Sequence, residues 1–246
     1  MSIILQERDR KILKFIYAYR VVSVAQIQRR YFSKTFRTVG PRRIRQLANE
    51  GLLQSFVTGE GSNVYNCLRL TEKGRKATNE LWNFEIDNPL LKSESPIHDL
   101  RVAQLAESFE RLSTFKSLFT ENLMQSSTAL SDDERLKALT QLQADGALVL
   151  SPPKAPLYFY GLEFEISRKS HERYRDKLTN YYTAKNVDGV LYISDSQVIL
   201  DTVARADTVI RSKRTSILHL ALEKDVLNST GKIQFSKADG GNIELF

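Results

Sequence analysis

Apolar side chains recur at helical spacing near the start of the chain. Ile12, Leu13, Ile16 and Tyr17 share one side of the segment from Leu5 to Tyr19, with charged residues between them. This pattern predicts a first helix. Ser23 is placed to cap a second through "VAQIQRRYF", where Val24, Ile27 and Tyr31 fall together. A third opens at "GPRRIRQLANEG", with Pro41 in its first turn, Gly51 as its stop and Ile44, Leu47 and Ala48 as its inward stripe. In "LLQSFVTGEGSNVYNCLRLTEKG" two strand-like runs meet at a turn in "GEGSN", and Thr71 then caps a helix from Glu72 to about Leu81. Three helices followed by a hairpin predict a winged helix-turn-helix over residues 1–82.

The periodicity lapses in "WNFEIDNPLLKSESP", which contains Pro89 and Pro96, so residues 83–96 read as a linker. A helix is expected from about Ile97 to Leu112, its broad apolar face made by Leu100, Ala103, Leu105, Ala106 and Phe109. Three strands are expected next, at "SLFTENLM", "ADGALVLS" and "LYFYGLEFEIS". Another helix runs from about Ser170 to Ala184, followed by a strand at "DGVLYIS", a helix near Val198 to Ala206 and a strand at "SILHLAL". Residues 97–246 therefore read as an α/β domain, making the whole chain α+β.

Composition suits this division. The 246 residues can close two hydrophobic cores, and 41% apolar with 26% charged residues is a soluble globular balance. No apolar run approaches the roughly 20 residues a bilayer requires. The opening "MSIILQERDRK" has no signal-peptide pattern, so no membrane partner and a cytoplasmic location are expected. The single cysteine, Cys67, excludes an intramolecular disulfide and a CxxC zinc site, and its alternating context predicts an inert buried thiol. His98, His171 and His219 are far apart and form neither an HxH pair nor an HExxH motif.

Charge is more informative by region than in total. Residues 1–80 hold 16 Lys and Arg against 6 Asp and Glu, whereas the remainder holds 20 against 23. The excess basic charge belongs to the first domain and points to nucleic acid or another anionic surface. On the third helix Arg42, Arg45, Gln46 and Asn49 share the side opposite the apolar stripe, and such side chains pair with guanine and adenine edges in the major groove. Arg37, Arg43 and Lys73 are the expected phosphate contacts. A merely solvated basic face is the plain alternative.

A second constellation lies in "LYFYGLEFEISRKS". In a strand from Leu157 to Ile166, Leu162, Phe164 and Ile166 face one way, and Gly161, Glu163 and Glu165 the other. A hairpin with the preceding strand would bring Asp145 to Glu163. An acid heading one strand and an acid in the next, followed by a basic residue, is the pattern of the PD-(D/E)xK nucleases. There, carboxylates hold Mg²⁺ and a lysine positions the nucleophile. Asp145, Glu163 and Glu165 are the candidate metal ligands, and Mg²⁺ is the candidate cofactor. Glu165 stands where that pattern has its lysine, so Lys169 or Lys177 is the candidate migrated ammonium. A solvated edge and an ion-pair network, with Arg168, Arg173 and Arg175 at hand, remain open beside the metal centre.

Taken together, "RDRKILKFIYAYRVVSVAQIQRRYF", "RRIRQLANEGLL", "YNCLRLTEKG", "HDLRVAQLAESF", "ADGALVL" and "LEFEISRKSHERYRDKLTNYY" resemble the replication-relaxation family of plasmids and integrated mobile elements. The matching positions are His98, Asp145, Glu163, Glu165, Lys177 and Tyr181. The resemblance implies a winged helix joined to a restriction-endonuclease-like domain, with a role in plasmid replication or DNA relaxation. Tyr181 and Tyr182 invite comparison with nicking tyrosines, but no histidine pair accompanies them, and helix packing is the plainer expectation. For His98, the alternatives are a ligand near Asp145 and a capping or buried hydrogen-bonded histidine. Three functions stay open: a duplex DNA-binding protein, a Mg²⁺-dependent nickase or endonuclease, and a dimeric regulator with an inert nuclease-like domain. A homodimer is expected, because winged helices often bind paired half-sites.

Overall fold

A computed structural model describes residues 4–60, 63–87, 93, 95–212 and 214–246. The chain is mixed α/β and divides into two compact units, Met1–Ala103 with Gln125–Ala129, and Gln104–Met124 with Leu130–Phe246.

The first unit contains α1 (Glu7–Tyr19), the short β1 (Val22–Ser23), α2 (Val24–Phe32), α3 (Val39–Asn49), β2 (Leu53–Glu60), β3 (Asn63–Leu70), α4 (Glu72–Asn79) and the first turns of α5 (Pro96–Phe109). Local chemistry sets several of these bounds. The Ser23 hydroxyl accepts the Gln26 N–H at 3.1 Å, and the Gln26 side chain accepts the Ser23 N–H at 2.8 Å, a reciprocal cap that starts α2. Thr71 caps α4 by accepting the Gly74 N–H at 3.0 Å. Gly51 follows α3 at φ 72°, a left-handed turn that glycine takes without a side-chain clash. Ile12, Leu13, Ile16, Ile27, Leu47 and Leu68 are fully buried.

The sheet of this unit has the order β1-β3-β2, antiparallel throughout; residues 61 and 62 of the expected turn lie outside the described residues. Cys67 is buried as expected, and desolvation pushes its thiol up to about 11, which keeps it protonated. The division between the units falls inside α5, whose Ile97 and Leu100 pack with Val21, Phe56 and Cys67. Of the expected linker, residues 88–92 and 94, Pro89 among them, lie outside the described residues. Asp87 is tied down, its N–H donating to the Ser126 carbonyl at 3.0 Å.

Along the rest of the chain come β4 (Phe115–Thr120), α6 (Glu121–Ser126), a 3-10 turn (Thr128–Asp132), α7 (Glu134–Gln141), β5 (Gly146–Leu150) and β6 (Tyr158–Glu165). Then follow α8 (His171–Thr183), β7 (Gly189–Ser194), α9 (Gln197–Arg211), β8 (Leu218–Leu222), α10 (Glu223–Leu227), β9 (Ile233–Lys237) and β10 (Asn242–Leu245). The seven strands form one mixed sheet of order β10-β9-β8-β7-β6-β5-β4. β5 is antiparallel to β4 and β6, and β7 is parallel to β6 and β8. The sheet is curled, and its two ends touch at one corner: Thr114, just before β4, donates its N–H to the carbonyl of Phe246, just after β10, at 2.8 Å.

Several elements differ from expectation. The run "SLFTENLM" is a strand only to Thr120, whose hydroxyl accepts the Leu123 N–H at 3.3 Å and turns the chain into α6. α7 was not anticipated, although Asp133 caps it and Leu136 and Leu139 are its buried stripe. β9 shows a plain alternation, Ile233 and Phe235 buried between exposed neighbours. One face of the sheet packs on α7, α8 and α9 through Leu139, Leu178, Tyr181 and Val203.

Candidate functional site

Two sets of polar side chains stand out, one in each unit. In the first unit α3 buries Ile44 and Leu47 and leaves Arg42, Arg45, Gln46 and Asn49 exposed, with Arg37 exposed just before the helix. Two of the expected phosphate contacts are engaged elsewhere. Arg43 grips buried Asp9 of α1 with two bonds, at 2.9 and 2.5 Å, and also donates to Gln46. Its side chain is 17% exposed, so it braces α3 against α1 instead of presenting its charge to solvent. Lys73 is exposed but donates to the Glu50 carbonyl at 2.7 Å, satisfying the C-terminal end of α3. The hairpin beyond α3 exposes Val57, Val64 and Tyr65.

In the second unit β6 is a central strand covered on both faces, so Glu163 is not a solvated edge residue: it is 8% exposed. Gly146 pairs with Leu162 across the β5–β6 ladder, which sets Asp145 opposite Glu163 as the hairpin expectation required. Asp145 accepts the Phe164 N–H at 2.7 Å, and its own carbonyl accepts the Glu121 N–H at 2.9 Å. Glu163 Oε1 receives the Tyr181 hydroxyl at 2.6 Å and the Lys177 ammonium at 3.0 Å. Lys177 also donates to the Leu142 and Gln143 carbonyls, each at 3.0 Å.

Burial pushes the Glu163 carboxyl up from 4.5 to about 7; the Lys177 charge opposes that rise and the Asp145 charge adds to it. The Tyr181 hydroxyl is driven well above its ordinary value by burial and by the adjacent carboxylate, so it remains a donor. Tyr192 of β7, raised for the same reasons, lines the same layer.

The other candidates take separate places. Glu165 is half-buried, bonded to the Ser167 N–H at 3.3 Å and paired with the Lys169 ammonium at 3.5 Å. Tyr182 donates to Asp207 of α9 at 2.6 Å, and Asp207 also receives the Ser216 hydroxyl at 2.9 Å. The two tyrosines thus tie α8 to different elements, Tyr181 to β6 and Tyr182 to α9. His98 sits on α5 in the first unit, 3.9 Å from Asp99, whose carboxylate also binds Arg20 at 2.7 Å. Two participants carried no signal of their own in the sequence, the Leu142 and Gln143 carbonyls, since any residue supplies one. Gly161 did carry a signal, as a glycine inside an apolar strand. A Cβ there would stand 2.6 Å from the Tyr181 hydroxyl, so only glycine leaves Tyr181 room to reach Glu163.

Among the described residues no group of three His, Cys, Asp or Glu side chains is placed to hold a metal ion. Asp145 and Glu163 are the two carboxylate residues that strand pairing sets opposite each other; in general Mg²⁺ is held by as few as one or two carboxylates, with water and phosphate completing its shell. The chain matches no family model, curated protein or solved structure. Its described helices include none long and apolar enough to cross a membrane.

Proposed function

We propose that the protein binds duplex DNA through a winged helix formed by its first unit, with α3 as the recognition helix. One observation carries this: α3 exposes Arg42, Arg45, Gln46 and Asn49 on the side opposite buried Ile44 and Leu47, immediately before a two-stranded hairpin. Arg42 and Arg45 suit guanine edges, Gln46 and Asn49 suit adenine, and Arg37 supplies a phosphate contact. The element order and the resemblance to the replication-relaxation family extend the proposal to a plasmid or mobile-element protein that binds paired half-sites as a homodimer.

Electrophoretic mobility shifts on supercoiled and linear plasmid, with footprinting of any retained fragment, test the proposal. Retention by the wild type and its loss in Arg42→Ala/Arg45→Ala are expected. Equal retention by both proteins removes α3 from the interface. A two-fold symmetric footprint is expected of the dimer.

A metal-dependent nuclease is the second function favoured, because strand pairing sets Asp145 opposite Glu163. Asp145 and Glu163 would hold the ion, which supplies Lewis acidity and an activated water. Glu165 and Lys169 flank the pair as a separate ion pair. Nicking of supercoiled plasmid in Mg²⁺ or Mn²⁺ by the wild type but not by Glu163→Gln is the expected result. Absence of cleavage on DNA the protein binds would favour an inert second unit.

A further inference from the structure

Lys177 has as many acceptors as it has N–H bonds. Its ammonium lies 3.0 Å from Glu163 Oε1, from the Leu142 carbonyl and from the Gln143 carbonyl, and an ammonium carries three donors and no acceptor. The cradle is built by the end of α7. Leu142 is the C-cap, and Gln143 holds φ 52°, a left-handed conformation uncommon outside glycine. Carbonyls at a helix C-terminus are partly negative, so this turn complements a cation.

With Asp145 and Glu163 taken as the cation site proposed above, we propose that Lys177 is that site's resident counter-cation, weakening divalent-ion binding by competing for Glu163. All three donors are committed, so the ammonium does not reach a substrate phosphate from this position. It is a positioning residue. A divalent ion entering beside Asp145 has to share Glu163 with a fixed positive charge, and that repulsion falls away when residue 177 is neutral. Lys169, paired with Glu165 at the strand end, has no such cradle: its ammonium donates to the Ser167 hydroxyl at 2.9 Å.

The test titrates Mn²⁺ into the full chain and follows the free ion by electron paramagnetic resonance. Wild type, Lys177→Met, Lys177→Gln and Lys177→Met/Glu163→Gln are compared, with circular dichroism to establish folding. Both single variants are expected to bind Mn²⁺ at least about tenfold more tightly than wild type, and the double variant to lose that gain. Equal or weaker binding by the single variants overturns the proposal, as does the absence of binding in all four. If neither single variant folds, the wild type decides. Nitrogen-15 spectra of labelled lysine should show one ammonium with slowly exchanging protons, whose exchange quickens in Glu163→Gln as the charged acceptor is lost; only fast-exchanging ammoniums would overturn the proposal. DNA retention and cleavage enter none of these readouts, so a failed DNA-binding proposal leaves the result intact.

Discussion

The two units hold the same kinds of charged side chain in opposite ways. On α3, Arg42 and Arg45 stand in water with no fixed acceptor described, available to a polyanion at little conformational expense. Between β6 and α8, Glu163 and Lys177 are largely withdrawn from water, with side chains 10% and 28% exposed, and their charges are met by a tyrosine, two carbonyls and each other. Desolvation is the difference. An exposed charge contributes little to stability and much to encounter with a partner, whereas a buried one must be satisfied at several atoms or it unfolds the site. Arg43 sets the contrast within one helix, since its neighbour Arg42 faces solvent while Arg43 is spent on Asp9.

Lys177→Met should break the comparison most strongly. Glu163 would be left in its buried place without a counter-ion, a loss of about 3–5 kcal/mol that urea unfolding at mildly alkaline pH would read. A change below about 0.5 kcal/mol would mean the pair is solvated like α3.

Proton linkage gives the next effect. Glu163 holds its proton more tightly folded than unfolded, so its contribution to stability is complete below pH 4.5 and lost as pH rises through 7, about 3 kcal/mol in all. His219, buried on β8, has the opposite sign. Burial lowers it from 6.5 to about 4, so its contribution is complete above pH 6.5 and lost as pH falls through 4. The two slopes oppose each other in the wild type. Glu163→Gln should therefore unmask a stability that climbs with pH through the His219 window, and His219→Asn one that falls through the Glu163 window. Parallel urea midpoints for all three proteins across that range would contradict both assignments.

Gly161→Ala sharpens the comparison at a smaller scale. The new methyl group meets the Tyr181 hydroxyl, so the Tyr181–Glu163 bond has to open, at about 1–3 kcal/mol. Thermal unfolding would show the loss, and a neutral outcome would mean Tyr181 moves freely. Smallest in stability is Arg42→Ala/Arg45→Ala, expected within about 0.5 kcal/mol of wild type by the same unfolding assay. In a DNA titration the same variant should reduce the dependence of affinity on salt.

Much of the first unit was legible in the sequence because its signals are local. Ser23 and Thr71 cap the helices they were expected to cap, Gly51 ends α3, and the stripe of Ile44 and Leu47 is buried. The second unit was read less completely. Thr120 diverts "SLFTENLM" into a helix, and the signals for α7 and β9 were present but short. At the site, the meeting of Asp145 with Glu163 followed from strand pairing and period two. The engagement of Arg43 and Lys73 did not, since each finds its acceptor on another element.

By itself the sequence determined where charge is concentrated, which face of α3 is apolar, and that Gly161, Glu163 and Glu165 share one side of a strand. Periodicity and composition are properties of the chain before it folds. Tertiary structure alone decided that β6 is a central strand, that Lys177 lies in a cradle of two carbonyls, and that Tyr181 reaches Glu163 over a glycine. Those outcomes depend on which atoms lose water together, and that is settled only when sheet and helices pack.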